Sequence, residues 1–326
     1  MNIEVSVIIP TYKRPALLIK CLTHLAAQNF SKEKYEVIVV TDGPDYDTKN
    51  EVMLFSQQHM FFNLSCYNLN EKKGPAAARN KGVQYAKGSL IVFTDDDCLP
   101  QAEWLSKYWD AHTSNHENIA AFTGRTIVPN LKTPTDYDLN VANLQTAEFI
   151  TANCAITKQA FNIVGGFDEA FPIAWREDSD MHFKLIEASV PIYHVNKAAI
   201  IHPVRKAGWG ISLKEQKKSV FNALLYKKHP ELYRQKISAK GLWKYYAMIY
   251  LFIFFAICLV RNFDFLATLF FLTWLFLLVE FIVRRLKYTS KKLSHVLEMI
   301  VTSALIPFFS VFWTIYGSLK YKTFLL

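Results

Sequence analysis

Acidic residues become scarce after position 204. Residues 205–240 hold two carboxylates against ten Lys and Arg, and residues 241–326 hold three against nine, whereas residues 1–204 hold 23 acidic and 18 basic side chains. The net charge of +9 therefore belongs to the C-terminal part, which points to anionic lipid headgroups as partners and away from nucleic acid. Cysteine is also sparse. Cys21, Cys66, Cys98, Cys154 and Cys258 are scattered, odd in number and without C-x-x-C spacing, so neither a disulfide framework nor a zinc site is indicated, and a reducing compartment fits best. The segment Met1 to Pro10 lacks a basic start, a long apolar run and a cleavage pattern, so no signal peptide is expected and the first domain is expected in the cytosol.

What is present divides unevenly. Of the 326 residues 51% are hydrophobic and 15% aromatic, an excess concentrated after residue 240. Three parts are expected: a first domain over 1–205, a basic amphipathic segment over 206–240, and a membrane region over 241–326.

The first part alternates short β-branched runs with helical patterns, the mark of an α/β domain with a mainly parallel sheet. Strands are expected at Val5–Ile9, Tyr35–Thr41, Phe61–Tyr67 and Leu90–Thr94, and helices at Pro15–Gln28 and Pro75–Ala86. Less regular patterns follow: a helix at Ala102–Ser114, strands near Ile119–Val128 and Glu148–Ile156, and helices near Lys158–Val164 and Asp178–Ala188. In such sheets ligands sit beyond the carboxyl ends of the strands.

Ser212–Lys228 has helical apolar spacing with a lysine-rich remainder, which suits a helix lying on a membrane surface or one docked on a protein core. Three apolar blocks come next, spanning about 242–260, 265–283 and 299–317, near the roughly twenty residues that a bilayer requires. The short link Arg261–Asp264 makes the first two a hairpin, and the cluster Arg284, Arg285, Lys287, Lys291 and Lys292 should stay cytosolic. Pro307 interrupts the third block, which either crosses or is interfacial.

Several polar constellations sit at strand ends. Asp95-Asp96-Asp97 closes the fourth strand, and three adjacent carboxylates repel one another unless a hard cation such as Mg²⁺ or Mn²⁺ relieves them; a solvated acidic turn is the other reading. Pro10-Thr11-Tyr12-Lys13-Arg14 and Asp42-Gly43 offer a ring for stacking, cations for phosphate and a carboxylate for the N–H of a base, although each alone is a strand-to-helix turn. In Lys73–Gly82 small residues let a helix approach closely, and Arg79 is either a diphosphate contact or a surface cation. Trp175–Asp180 opens a helix, where an acidic residue caps the helix or serves as a general base.

The ordered blocks VSVIIPTYKRP, VIVVTDG, GPAAARNKG, IVFTDDDCLP, GGFDE and WREDSD resemble family 2 glycosyltransferases of the GT-A fold over roughly residues 3–205. The resemblance implies that Pro10, Thr11, Tyr12, Arg14 and Asp42 line a nucleobase pocket, that Arg79 approaches the donor, and that Asp95 or Asp96 holds the ribose or sugar. It implies Asp97 as ligand of a divalent metal (Mn²⁺ or Mg²⁺), with His202 as a further metal or phosphate ligand. It also implies Asp178 as catalytic base with Glu177 beside it, and Gly165, Gly166, Phe167, Asp168 and Trp175 on the acceptor side. The expected reaction is inverting transfer of one sugar from a nucleotide-sugar, a UDP-sugar favoured, to a lipid-linked or membrane-proximal glycan, with Arg205, Lys206 and the Trp209 loop closing over the diphosphate. A Gln-x-x-Arg-Trp motif, found in related processive synthases, is absent between Asp178 and Lys244, which favours single transfer. The alternatives are a processive synthase and a non-catalytic nucleotide-sugar-binding scaffold.

Overall fold

The computed structural model describes residues 3–60, 62–115, 118–239 and 241–325; Phe61, the expected first residue of the third strand, lies outside them. The chain forms two units, Met1–Pro129 with Asn143–Val204, and Asn130–Ala142 with Arg205–Leu326.

In the first unit the strands are β1 (Val5–Thr11), β2 (Tyr35–Thr41), β3 (Leu64–Asn68), β4 (Leu90–Thr94), β5 (Leu99–Pro100), β6 (Ala121–Ile127), β7 (Asn153–Thr157) and β8 (Ile192–Ile201). Its helices are α1 (Pro15–Ala26), α2 (Tyr46–Gln58), α3 (Pro75–Tyr85) and α4 (Trp104–Ser114), then, after α5 (Asp136–Ala142) of the second unit, α6 (Lys158–Ile163) and α7 (Glu177–Glu187). One sheet holds all eight strands in the order β3-β2-β1-β4-β7-β6-β8-β5.

The expected mainly parallel sheet holds through its first half, and β6 and β8 pair in parallel in its second. β3, β2, β1 and β4 pair in parallel, but β7 runs antiparallel to both β4 and β6, so the sheet is mixed. β1, β2, β4 and β7 are buried along their whole length, because helices cover both faces, and their apolar runs are therefore continuous rather than alternating. Val7, Ile9, Val37 and Val39 face Leu18, Leu22 and Trp104 in one core cluster. Ile8, Ile38, Val40 and Phe93 face Ala76, Ala78 and Val83 in the other. The small residues of α3 do permit close approach: a Cβ on Gly82 would stand 2.5 Å from Ile8.

The structure departs from the expected elements at several points. Helix α2 was not legible because its apolar residues are few. The strand expected from Glu148 starts only at Asn153, after a turn at 151–152. Strand β8 carries His194, Asn196 and Lys197, which hide its periodicity, and its register against β6 slips between Gly124 and Arg125, where Val195 and Ala199 are the successive partners. The pattern over 212–228 divides into α8 (Ile211–Glu215), a 3-10 stretch Gln216–Ser219 and α9 (Val220–Lys228).

In the second unit these are followed by α10 (Pro230–Lys236), α11 (Trp243–Val260), α12 (Asp264–Leu286) and α13 (Leu293–Tyr321). The last three are long and apolar enough to cross a membrane, with mean hydropathies of 1.8, 2.4 and 1.8 in their most apolar windows. Helix α13 runs through Pro307 without a break, although a proline there removes one hydrogen bond of the helical ladder.

Candidate active site

Strand β4 delivers Asp95, Asp96 and Asp97 at its carboxyl end, and each goes to a different partner. Asp96 is fully buried; its Oδ2 accepts a 2.6 Å hydrogen bond from the Thr11 hydroxyl and lies 3.0 Å from Nε of Arg14. Burial pushes its carboxyl up to about 7, against the pull of Arg14 and Thr11. Two of the residues expected at the nucleobase pocket thus hold an aspartate of the acidic run. Asp95 accepts from Arg79 Nη2 at 2.7 Å, and Nη1 of the same guanidinium lies 3.3 Å from Glu177 Oε1. Arg79 is 1% exposed, so it is not a surface cation; it joins the end of β4 to the start of α7 and sits over the Phe167 ring at 5.6 Å.

Glu177 and Asp178 open α7, preceded by Arg176 in the left-handed region at φ 75°. Burial and the Asp178 charge raise the Glu177 carboxyl, with Arg79 opposing. Asp178 is also raised by burial, opposed by the Ser179 N–H, which donates to its Oδ1 at 2.6 Å, and by Arg176 and Arg79. A half-buried carboxylate with a raised pKa has the attributes of a general base.

Asp97 goes the third way. Its Oδ1 lies 3.9 Å from His202 Nε2, and with Cys98 the three residues place a ligand atom each within 4.8 Å of one another. All three are buried, and the His202 Nδ1 has no hydrogen-bond partner among the described residues. The carboxylate suits Mn²⁺ or Mg²⁺, and an imidazole beside it favours the transition metal Mn²⁺ of the two. Cys98 was missed in the sequence because cysteines were judged by spacing along the chain; burial, Asp95 and Asp97 raise its thiol and hold it neutral. His202 arrives from beyond β8, its N–H donating to the Ile127 carbonyl at 2.8 Å.

The remaining site residues are fixed by backbone. Asp42 Oδ1 accepts from the N–H groups of Lys73 and Gly74, both at 2.7 Å, which ties the end of β2 to the start of α3. Gly74 has φ 98°, and a Cβ there would meet the Pro172 carbonyl oxygen at 2.3 Å, so only glycine fits. The Tyr12 ring is flanked by Lys72 at 4.7 Å and Lys13 at 5.3 Å, and Pro10 lies buried in β1 beside it. Phe167 is clamped by Asn80, whose amide donates to its carbonyl and accepts from its N–H, both at 2.9 Å. Asn80 too was missed, since its role depends on a partner 87 positions away. Gly166 holds φ 69°, Asp168 accepts from the Ala170 N–H, and the Trp175 ring stacks under Arg176 at 4.8 Å.

A sheet of this topology with an acidic run at the carboxyl end of β4 has known counterparts. Residues 6–165 match the model of glycosyl transferase family 2. This part of the chain is a family 2 glycosyltransferase domain. The match ends before α7, so Glu177, Asp178 and His202 lie outside it. Glycosyltransferase AglE of Haloferax volcanii is 28% identical over 63% of this chain and 68% of its own length. The GalNAc(5)-diNAcBac-PP-undecaprenol beta-1,3-glucosyltransferase of Campylobacter jejuni is 34% identical over 29% of each chain. Two other curated relatives are matched over 57% and 61% of their length. A mannosyltransferase of Pyrobaculum calidifontis, solved in complex with GDP-Man and Mn²⁺, shares the fold at a TM-score of 0.56 over 99% of this chain and 88% of that one, with 17% identity. The α/β unit therefore has the GT-A fold of a glycosyltransferase.

Proposed function

We propose that the chain is an inverting, membrane-attached glycosyltransferase that moves one sugar from a nucleoside-diphosphate donor to a hydroxyl of a lipid-linked or membrane-proximal glycan, in the making of a surface polysaccharide or glycolipid. The observation that carries this reading is the buried Arg79, bonded at once to Asp95 at the end of β4 and to Glu177 beside Asp178. It gathers the donor-side carboxylates and the candidate base into one cluster within the family 2 fold. The relative that acts on an undecaprenol-linked glycan and the three apolar helices support a lipid-linked acceptor. A UDP-sugar is the favoured donor.

In this reading Tyr12 stacks on the base, Asp42 and the Lys73–Gly74 backbone define the pocket floor, and Asp95 and Asp96 orient ribose and sugar. Asp97 and His202, with Cys98 adjacent, would hold a divalent ion, which when bound neutralises charge on the departing diphosphate. Asp178 takes the proton from the acceptor hydroxyl as its oxygen attacks the anomeric carbon in a single displacement. Trp175 and the Gly166–Asp168 backbone shape the acceptor side, with the Phe167 ring anchored in the core. The α11–α12 hairpin spans the membrane with its basic end cytosolic, the side of the catalytic unit.

Membranes containing the full chain, given UDP-, GDP- and dTDP-sugars with lipid-linked acceptors and Mn²⁺, test the reading. It predicts nucleotide release from one donor class, abolished by Asp97→Ala. Absence of release from every donor, or release untouched by Asp97→Ala, defeats it.

A further inference from the structure

The three apolar helices of the second unit differ in what covers them. Only 11% of the apolar window of α11 and of α12 is buried, against 39% of that of α13. The buried side of α13 carries the helix's small polar residues Thr302, Ser303, Ser310 and Thr314 and its Gly317, interleaved with Met299, Ile306 and Val311, whereas the exposed side, with Ile300, Leu305, Phe309, Phe312 and Tyr316, is large and apolar. Helix α13 is thus amphipathic, and its polar side faces a segment of the chain that precedes the hairpin.

Residues 209–221 follow α13 from end to end in the same direction. The Trp209 Nε1–H donates to the Ser294 carbonyl at 3.3 Å and the Gly210 N–H to Glu298 Oε1 at 2.7 Å. The Arg285 guanidinium then joins Ser212 to Thr302 and Ser303, at 3.2, 2.8 and 2.9 Å. Lys217 lies 5.7 Å from the Trp313 ring, a Cβ on Gly317 would stand 2.7 Å from the Val220 carbonyl oxygen, and Phe221 meets Tyr321 at 6.5 Å between ring centres. Lys214, Glu215, Lys217 and Lys218 therefore accompany the middle of α13.

A helix of 29 residues is about 43 Å long, more than the hydrocarbon thickness of about 30 Å. Were α13 to cross the bilayer, this charged stretch would be carried into the hydrocarbon with it, where ammonium groups are costly and the backbone of the 3-10 stretch would lack water. The hairpin has no such burden. Its charges gather at its two ends: Arg261 and Asp264 at the tip, and at the base Glu280, which lies 3.5 Å from Lys244 and 2.6 Å from Arg284.

We propose that α13 does not cross the bilayer but lies along the boundary between headgroups and acyl chains, apolar face down, with the basic segment 209–228 covering its back and meeting anionic headgroups. The Phe308 ring touches Phe252, eight residues along α11 from Lys244 and so about 12 Å into the hairpin, a little beyond the roughly 5–10 Å to which the apolar face of an in-plane helix sinks. Crossing is left to α11 and α12, and Lys320 and Lys322 return to the side on which Lys217 lies. The proposal rests on the membrane attachment proposed above.

Single cysteines in the full chain, with Cys66→Ser removing the half-exposed native thiol, test it in sealed vesicles of known orientation. A membrane-impermeant maleimide reads Lys217→Cys, Asp264→Cys and Lys320→Cys, three exposed positions. The proposal predicts that Lys217→Cys and Lys320→Cys react from one side and Asp264→Cys from the other. Lys320→Cys reacting from the side of Asp264→Cys, or Lys217→Cys shielded from both sides, overturns it while the hairpin stands. All three reacting from one side defeats the spanning hairpin, and the proposal with it.

Discussion

Arg79 is the residue on which the charge balance of the site turns. It is buried and paired with both Asp95 and Glu177, so Arg79→Met would leave two carboxylates facing each other without a cation. Breaking a buried pair from one side costs about 3–5 kcal/mol, so this variant should show a markedly lower Tm in detergent, with Glu177→Gln milder because it keeps a polar partner. Loss of equal size in both variants would contradict the bridging role. Asp178 carries a pH prediction. Its folded pKa lies above that of an ordinary aspartate, and it acts deprotonated; its proton therefore stays on at pH values where an ordinary aspartate is ionised. The acid limb of kcat/KM should accordingly sit above the usual carboxylate range, with activity present above the raised pKa and lost as pH falls through it. A limb near pH 4 would argue against Asp178. The acidic run and Asp178 were legible because strand-end position and local pattern mark them. Cys98 and Asn80 were not, because their partners are set by β6–β8 pairing and by the turn before Phe167, which no local pattern encodes.

At the scale of elements, buried strands and apolar helices could be read directly from runs of β-branched and aromatic residues. Strand β8 and helix α2 could not, since a register slip and a thin apolar face break the periodicity on which such reading depends. The junction of β2 with α3 depends on one glycine. Gly74→Ala places a Cβ against the Pro172 carbonyl and forces a positive φ on a residue with a side chain. That strain alone is worth about 1–3 kcal/mol, and the same loop holds Asp42, so both Tm and donor affinity should fall. Unchanged donor affinity would separate Asp42 from the nucleotide pocket. In the second unit, Gly317→Leu should push the Val220 backbone off α13 and speed hydrogen exchange over α9 while leaving α11 and α12 protected.

At the scale of the whole molecule, the charge asymmetry along the sequence foretold a division of labour: a net-acidic sequence through residue 204 that forms most of the α/β domain, and a basic, apolar remainder. The two-unit grouping also takes in Asn130–Ala142, where Asp136 pairs with Arg285 at 2.7 Å across 149 positions, a link that composition cannot reveal. The central claim is that a family 2 domain uses Asp178 as the base for sugar transfer. It is tested most directly by donor affinity and turnover measured side by side on the full chain in membranes, for wild type and Asp178→Asn. The account predicts unchanged donor affinity with turnover reduced about 10²- to 10⁴-fold. Turnover that survives the substitution would contradict it.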